Sequence, residues 1–326
     1  MINHYCTLFD YNYMAFGINL IESLKEHDQS AKLYVVTMDN ISYDQLKELD
    51  YENVVLISGY HIEKKYSELN TLKIERSKTE YFFTFSPAIC KYIMELFTDI
   101  NRLTYLDSDL YFFSSPSPIF DEINDSSIAI IEHRFSLLTK SNIKYGKFNV
   151  GWISFSRDDQ GLECLSNWYK DCIDWCFQKV EPNRYADQKY LDKWPINFKN
   201  LKIIKHKGAN LAPWNIANYN ITKTNNSIYI DQDKLIFFHF ANIKQISAFT
   251  FKTNLSRVLV RTSGIIKDDI YTPYLRSLSE ILKKLNLKIL SKNDINHKSF
   301  FINILVKLYR GVRDLIYNDI IELENE

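Results

Sequence analysis

Apolar runs of strand length alternate with segments whose apolar positions recur at helical spacing through the first two-thirds of the chain. HYCTLFD (4–10) predicts a strand and YMAFGINLIESLKEH (13–27) an amphipathic helix. AKLYVVTMD (31–39) predicts a second strand, SYDQLKELD (42–50) a short helix and NVVLISG (53–59) a third strand. SPAICKYIMELF (86–97) reads as helical, with Pro87 tolerable in a first turn. It leads into RLTYLDSDLYFF (102–113), a buried strand by its apolar run. Prolines at 116 and 118 then break the pattern, because they deny backbone donors. SIAIIEHRF (127–135) and KFNVGWISFSRD (147–158) resume it as strands. GLECLSNWYKDCIDWCF (161–177) and YADQKYLDKW (185–194) read as helical. LKIIKHKG (201–208) and KLIFFHFANI (234–243) are later strand candidates. Strand–helix alternation of this kind predicts an α/β fold with a largely parallel sheet.

From about Thr272 the pattern turns helical, with little glycine or proline. Between Ile281 and Arg313 eight basic residues stand against one acid, Asp294. Within it SFFINILVKLYRGVRDLIY interleaves aromatic and aliphatic residues with Lys and Arg, the pattern of a helix that lies in a membrane interface or packs on the main domain. The expected division is a catalytic domain over 1–245 and a mostly helical, basic and amphipathic extension over 246–326.

Composition adds bounds rather than chemistry. The 326 residues suffice for a sizeable core, and 40 basic against 40 acidic residues give no pull toward nucleic acid. No apolar run is long enough to span a bilayer, and the first residues lack the pattern of a secretory signal. The five cysteines have no metal-type CxxC spacing and read as reduced core residues, so a cytoplasmic setting is expected.

The chemistry starts at Asp107 and Asp109. Two carboxylates in an apolar strand repel each other and are expensive to bury unless something positive lies between them. Strand alternation puts both on one side with Ser108 opposite, and ligands of α/β sheets collect at the carboxyl ends of strands. That is a hard-oxygen site suited to Mg²⁺ or Mn²⁺ carrying the phosphates of a nucleotide.

YLDSDLYFF resembles the DxD motif of GT-A-fold, nucleotide-sugar-dependent glycosyltransferases, in the form typical of family 8, the glycogenin and lipooligosaccharide galactosyltransferase group. Further pieces follow in the family's order over roughly residues 3 to 245. FDYNYMAFGINLIESL resembles the first strand–loop–helix, which implies that Asp10, Asn12 and Tyr13 hold the nucleoside. KFNVGWISF resembles the strand lining the donor sugar, implying Asn149 and Gly151. YADQKYL resembles the segment near the anomeric centre, implying Asp187 and Gln188 as catalytic residues. With Ser108 counted among the donor-contacting positions, the resemblance implies a Rossmann-like mixed sheet flanked by helices. The implied metal site is Asp107, Asp109 and a histidine, with a nucleotide diphospho-sugar as donor.

Two departures stand out. The family's arginine at the start of the helix before the DxD strand has no counterpart in FSPAICKYI, and Arg134 of EHRF is the substitute candidate. The third metal ligand in the family is a histidine followed by a phosphate-binding lysine. His239 is favoured over His206 by its order and apolar flank, which makes Lys244 the phosphate candidate. GANLAPWNIANY (208–219) reads as a loop whose Trp214 and Tyr219 either face sugar or anchor the loop.

The function implied is transfer of a sugar, most simply UDP-linked and with retention, to a cell-surface glycan such as lipopolysaccharide or capsule, or to its lipid-linked precursor. The protein would then lie peripherally on the inner face of the cytoplasmic membrane. Two other readings compete. A haloacid-dehalogenase-type phosphohydrolase wants its Asp-x-Asp near the first strand and Thr or Val two residues beyond, where this chain has Tyr111. A degenerate sugar-binding relative would explain the missing arginine but not the intact carboxylates.

Overall fold

The computed structural model describes residues 2–287 and 309–324. Its first half follows the alternation closely. The strand β1 (His4–Phe9) leads to α1 (Met14–His27), β2 (Lys32–Thr37) to α2 (Asn40–Leu49), and β3 (Val54–Ser58) to the short α3 (Gly59–Lys65) and α4 (Glu68–Glu75). The long helix α5 (Lys78–Leu96) precedes β4 (Arg102–Leu106) and β5 (Leu110–Phe112). Next come α6 (Ser117–Ile123), β6 (Ile128–Glu132), β7 (Phe148–Ser156), α7 (Asp159–Asp174), α8 (Trp194–Asn197) and β8 (Leu201–Ile204). A hairpin follows, β9 (Ile221–Thr224), β10 (Ser227–Ile230) and β11 (Asp233–Lys234), then β12 (Phe237–His239). The chain closes with β13 (Lys244–Ser247), β14 (Thr250–Lys252), α9 (Thr272–Lys284), a helix over 309–316 and β15 (Ile320–Glu322).

The central sheet runs β3-β2-β1-β4-β7-β6-β8. The pairs β1–β2, β2–β3, β1–β4 and β6–β8 are parallel, while β7 is antiparallel to both β4 and β6. This is the mixed sheet flanked by helices that the resemblance implies. Alternation along the strands builds two cores. Tyr5, Leu33, Val35 and Trp152 face one layer, while Cys6, Tyr34, Val36 and Phe155 face the other.

Several local expectations are corrected. The run 102–113 is not one strand: β4 stops at Leu106, and β5 belongs to a separate pair with β12. The helix α5 starts eight residues before the expected 86, at a capping box in which Ser77 and Glu80 each satisfy the other's backbone N–H. Pro87 therefore lies inside that helix rather than in its first turn. Prolines 116 and 118 do not only interrupt; they open α6, where fixed φ and a missing donor cost nothing. All five cysteines are buried and free, as expected.

Residues after 245 are only partly helical, since β13, β14 and β15 form a three-stranded sheet. Buried Asp319 ties that sheet together, accepting from Thr253 Oγ1 at 2.7 Å and Ser256 Oγ at 2.8 Å. The helix α9 lies on α1: Asn19 Nδ2 donates to the Tyr274 carbonyl at 3.3 Å, and Ser277 Oγ donates to Asn19 Oδ1 at 2.6 Å. Tyr274, Leu275 and Leu278 thereby share one hydrophobic core with Tyr5 and Phe9. Much of the basic amphipathic stretch falls on 288–308, outside the described residues. In the helix over 309–316, Tyr309, Val312, Leu315 and Ile316 are exposed. Among the described residues no helix is long and apolar enough to cross a membrane.

Candidate active site

Asp107 and Asp109 occupy the turn that follows β4, at the carboxyl edge of the sheet. The Asp107 N–H donates to the Gly151 carbonyl at 3.4 Å, and the Asp109 carbonyl accepts from Phe240 N at 2.9 Å. The turn is thus anchored to β7 on one side and to the end of β12 on the other. Antiparallel pairing of β5 with β12 puts His239 opposite Leu110, beside Asp109. His239 Nε2 lies 2.9 Å from Asp109 Oδ1 and 3.7 Å from Asp107 Oδ2. The three ligand atoms all fall within 4.8 Å of one another.

His206 does not join this cluster. It sits at the head of the 206–219 loop, its N–H on Glu122 at 3.1 Å and its carbonyl accepting from Arg134.

The electrostatics of the cluster are those of a site short of positive charge. Burial lowers the affinity of His239 for a proton, but the Asp109 carboxylate beside it, with Asp107 behind, outweighs burial and raises its pKa. Burial first, then the charge of Asp109, raises Asp107, with His239 opposing. Asp187, buried near Asp107, is pushed up to about 8 by burial and then by the Asp107 charge. A divalent ion among them would offset the burial and like-charge repulsion that raise the Asp107 and Asp187 carboxyls. The donor set fits: two carboxylates and an imidazole at 2.9 and 3.7 Å have the spacing of ligands sharing one ion at bonds of about 2.1 Å.

Gly151 forms the floor under His239. A Cβ there would sit 2.5 Å from Asn149 Oδ1 and 2.9 Å from His239 Nδ1, so no side chain fits without moving the imidazole. Asn149 Oδ1 accepts the Gly151 N–H at 3.1 Å, and its amide Nδ2 is 3.2 Å from His133 Nε2. His133 stacks on Phe135 with ring centroids 4.6 Å apart, and Trp214 meets both His133 and His239 edge-on, at 5.4 and 5.0 Å. Burial pushes the His133 pKa down to about 3, so this imidazole is neutral.

Asp10 organises the loop after β1. Its Oδ1 accepts the Asn12 N–H at 3.1 Å and the Tyr13 N–H at 3.3 Å, and Lys78 pairs with Oδ2. Tyr13 is half exposed at 47%, its hydroxyl raised to about 12 by burial and then by Asp109, Asp10 and Asp107, which places it at the rim of the cluster. The Gln188 amide donates to the Tyr145 carbonyl at 2.9 Å. Ser108 is half-buried in the turn between the two aspartates, and Lys244 opens β13, five residues past His239.

Arg134 is placed elsewhere than expected. Its guanidinium donates to the carbonyls of His206 and Ala209 and lies over the Tyr219 ring, 5.8 Å from the centroid. It clamps the 206–219 loop instead of facing the cluster. The basic group at the start of the helix before the DxD turn is Lys78, which the sequence reading missed. The Ser77-Lys78-Thr79-Glu80 capping box was the signal that could have moved the helix start to it. Tyr274 was missed as well: it is buried, stacks face to face on Phe240 at 3.6 Å, and its hydroxyl has no hydrogen-bond partner among the described residues.

No protein-family model matches the chain. Among solved structures it is similar to the galactosyltransferase LgtC in complex with donor and acceptor sugar analogs, with TM-score 0.48 and 13% identity over 89% of this chain and 98% of that one. It is also similar to apo mouse xyloside xylosyltransferase 1, with TM-score 0.43 and 16% identity over 65% of this chain and 88% of that one. In sequence it matches two uncharacterised proteins of Bacillus subtilis strain 168. YfnF is 29% identical over 76% of this chain and 84% of its own length. YfnD is 32% identical over 84% of this chain and 88% of its own length, and the chain belongs to the same family as YfnD.

Proposed function

We propose that the protein is a metal-dependent glycosyltransferase. It moves a sugar from a nucleotide diphospho-sugar, UDP-linked, to a cell-surface glycan or its lipid-linked precursor, with retention. The observation that carries this reading is the convergence of Asp107, Asp109 and His239 at the end of β4, with buried Asp187 beside them. A phosphohydrolase using an aspartate nucleophile has no use for a histidine 2.9 Å from its second aspartate.

The roles extend the family resemblance to the residues around the cluster. Asp107, Asp109 and His239 would hold Mn²⁺ or Mg²⁺, which supplies charge neutralisation of the diphosphate leaving group. The loop ordered by Asp10 presents Asn12 and Tyr13 to the nucleoside, with Tyr13 stacking on the base. Gly151 and Asn149 line the donor-sugar side, and Lys244 is assigned to the diphosphate. Asp187 and Gln188 are assigned to the anomeric centre. The exposed apolar helix over 309–316 and the basic residues around it support peripheral attachment to an anionic membrane face.

Calorimetric titration of UDP with and without Mn²⁺ tests the reading. Tight binding is expected only with Mn²⁺, and Asp109→Asn is expected to weaken it at least a hundredfold. Unchanged binding by that variant removes the metal assignment.

A further inference from the structure

Between β6 and β7 the chain carries an exposed apolar tip. Leu137 is 87% exposed, Leu138 56% and Ile143 52%. A single exposed aliphatic residue is ordinary, but these three fall within one short turn and form a patch. The turn is well built. The Thr139 N–H donates to the Ser136 carbonyl at 3.0 Å, and a 3₁₀ helix over Lys140–Tyr145 closes with the Gly146 N–H on the Ile143 carbonyl at 3.0 Å. Thr139 and Gly146 are buried, so the base of the turn is packed while its tip is not.

Both ends of the turn are tied to the rim of the cation cluster. The Ser136 N–H donates to the Trp214 carbonyl at 2.9 Å, and the Trp214 ring is 5.0 Å from that of His239. At the other end the Gln188 amide donates to the Tyr145 carbonyl at 2.9 Å, and Lys189 Nζ donates to the Lys144 carbonyl at 2.7 Å.

The charge belongs to the same turn. With three residues per 3₁₀ turn, Lys140 and Ile143 share a face, and Lys144 is next to them. Both lysines are exposed, and neither forms an ion pair among the described residues, whereas Lys147 is paired with Glu132 at 3.3 Å. No acidic residue occurs from 135 to 146. Aliphatic side chains flanked by free ammonium groups match the interface of an anionic bilayer, where the former enter the acyl boundary and the latter meet headgroups. A side chain as exposed as Leu137 lines no groove, so the tip encloses no small ligand. Three aliphatic side chains offer on the order of 300 Å², short of the roughly 800 Å² per partner of a stable protein interface.

We propose that the 137–144 tip docks into an anionic membrane surface and so turns the Trp214 and Gln188 rim toward the bilayer. The docking rests on the peripheral attachment proposed above, not on sugar transfer.

All five native cysteines are buried, so Leu137→Cys can be spin-labelled selectively in the full chain. On vesicles of equimolar phosphatidylglycerol and phosphatidylcholine, collisions of the label with oxygen are expected to rise and those with an aqueous nickel chelate to fall. In flotation, Leu137→Asp with Leu138→Asp is expected to lower vesicle affinity at least about tenfold. Lys140→Gln with Lys144→Gln is expected to lower it about thirtyfold, and less at high salt. These positions are exposed, and thermal melting checks that the variants fold. A label still open to the nickel chelate on a chain that floats overturns the docking and leaves the 309–316 helix as the attachment. A chain that does not float overturns both the docking and the peripheral attachment. A dimer that Leu137→Asp breaks, with the label shielded before vesicles are added, makes the tip a protein contact and also overturns the docking. An inserted label on a chain that does not bind UDP with Mn²⁺ keeps the docking and removes the transferase reading.

Discussion

Gly151 sets the position of the His239 imidazole. The space a methyl group would need is already filled by Asn149 Oδ1 and His239 Nδ1. Gly151→Ala must push the imidazole, the amide or the strand, and overpacking of this kind costs about 1–3 kcal/mol. Because the disturbance falls on the support of a proposed ligand, Mn²⁺ affinity is expected to fall about 10–100-fold. Electron paramagnetic resonance of free Mn²⁺ measures it. A lower melting temperature with unchanged affinity would mean that His239 is no ligand. At this scale the sequence was informative about Asp107 and Asp109, because two charges in an apolar run are conspicuous wherever they fall. It was silent on Tyr274, one tyrosine among 22, and marked Lys78 only indirectly, through the Ser77–Glu80 capping box that starts its helix.

The loop over 206–219 is held by side chains as well as by backbone bonds, the Gly208 carbonyl accepting from Ile236 N and the Leu211 carbonyl from His239 N, both at 2.8 Å. Asn215 Nδ2 donates to the His133 and Asn210 carbonyls, both at 2.9 Å, and Thr139 Oγ1 donates to the Trp214 carbonyl at 2.6 Å. His133 is the buried centre of this clasp. Its folded pKa of about 3 lies below the ordinary histidine value, so the folded protein binds fewer protons than the unfolded chain in between. The stability it contributes is present above pH 6.5 and is lost as the pH falls toward 3, by up to about 1.4 kcal/mol per pH unit. Denaturant unfolding at pH 7, 6, 5 and 4 is expected to show a shallower loss for His133→Gln than for the unaltered chain. Identical slopes would assign the acid sensitivity to other groups. The long strands and helices were legible because period 2 and period 3.6 are local properties of the chain. The sheet β13-β14-β15 was not, because such short strands depend on partners elsewhere, β15 being some seventy residues from β14; the hairpin over 221–230 is local, and its signal was the Asn225-Asn226 turn, both residues at positive φ.

For the whole molecule, the decisive contact is α9 against α1. A chain ended after residue 271 would strip Tyr274, Leu275, Leu278, Ile281 and Leu282 from the core they share with β1 and α1. Losing one such side chain costs about 2–5 kcal/mol, against a total stability of about 5–15 kcal/mol. The truncated chain is therefore expected to lack a cooperative melt in calorimetry. A soluble product melting sharply would show that the segment is dispensable. Alternation of strands and helices foretold the sheet, but no local pattern says that position 274 will meet position 19.

That same contact sets a clock on biosynthesis. The buried face of α1 emerges from the ribosome early, yet its cover is 255 residues further along the chain. At roughly 5–20 residues per second, Asn19 and its apolar neighbours wait about 10–50 seconds for Tyr274 to be made. For that interval the nascent chain presents an open hydrophobic helix face, a surface that chaperones hold. The cation cluster, whose Phe240 wall leans on Tyr274, reaches its final packing only after nearly all of the described chain has been synthesised.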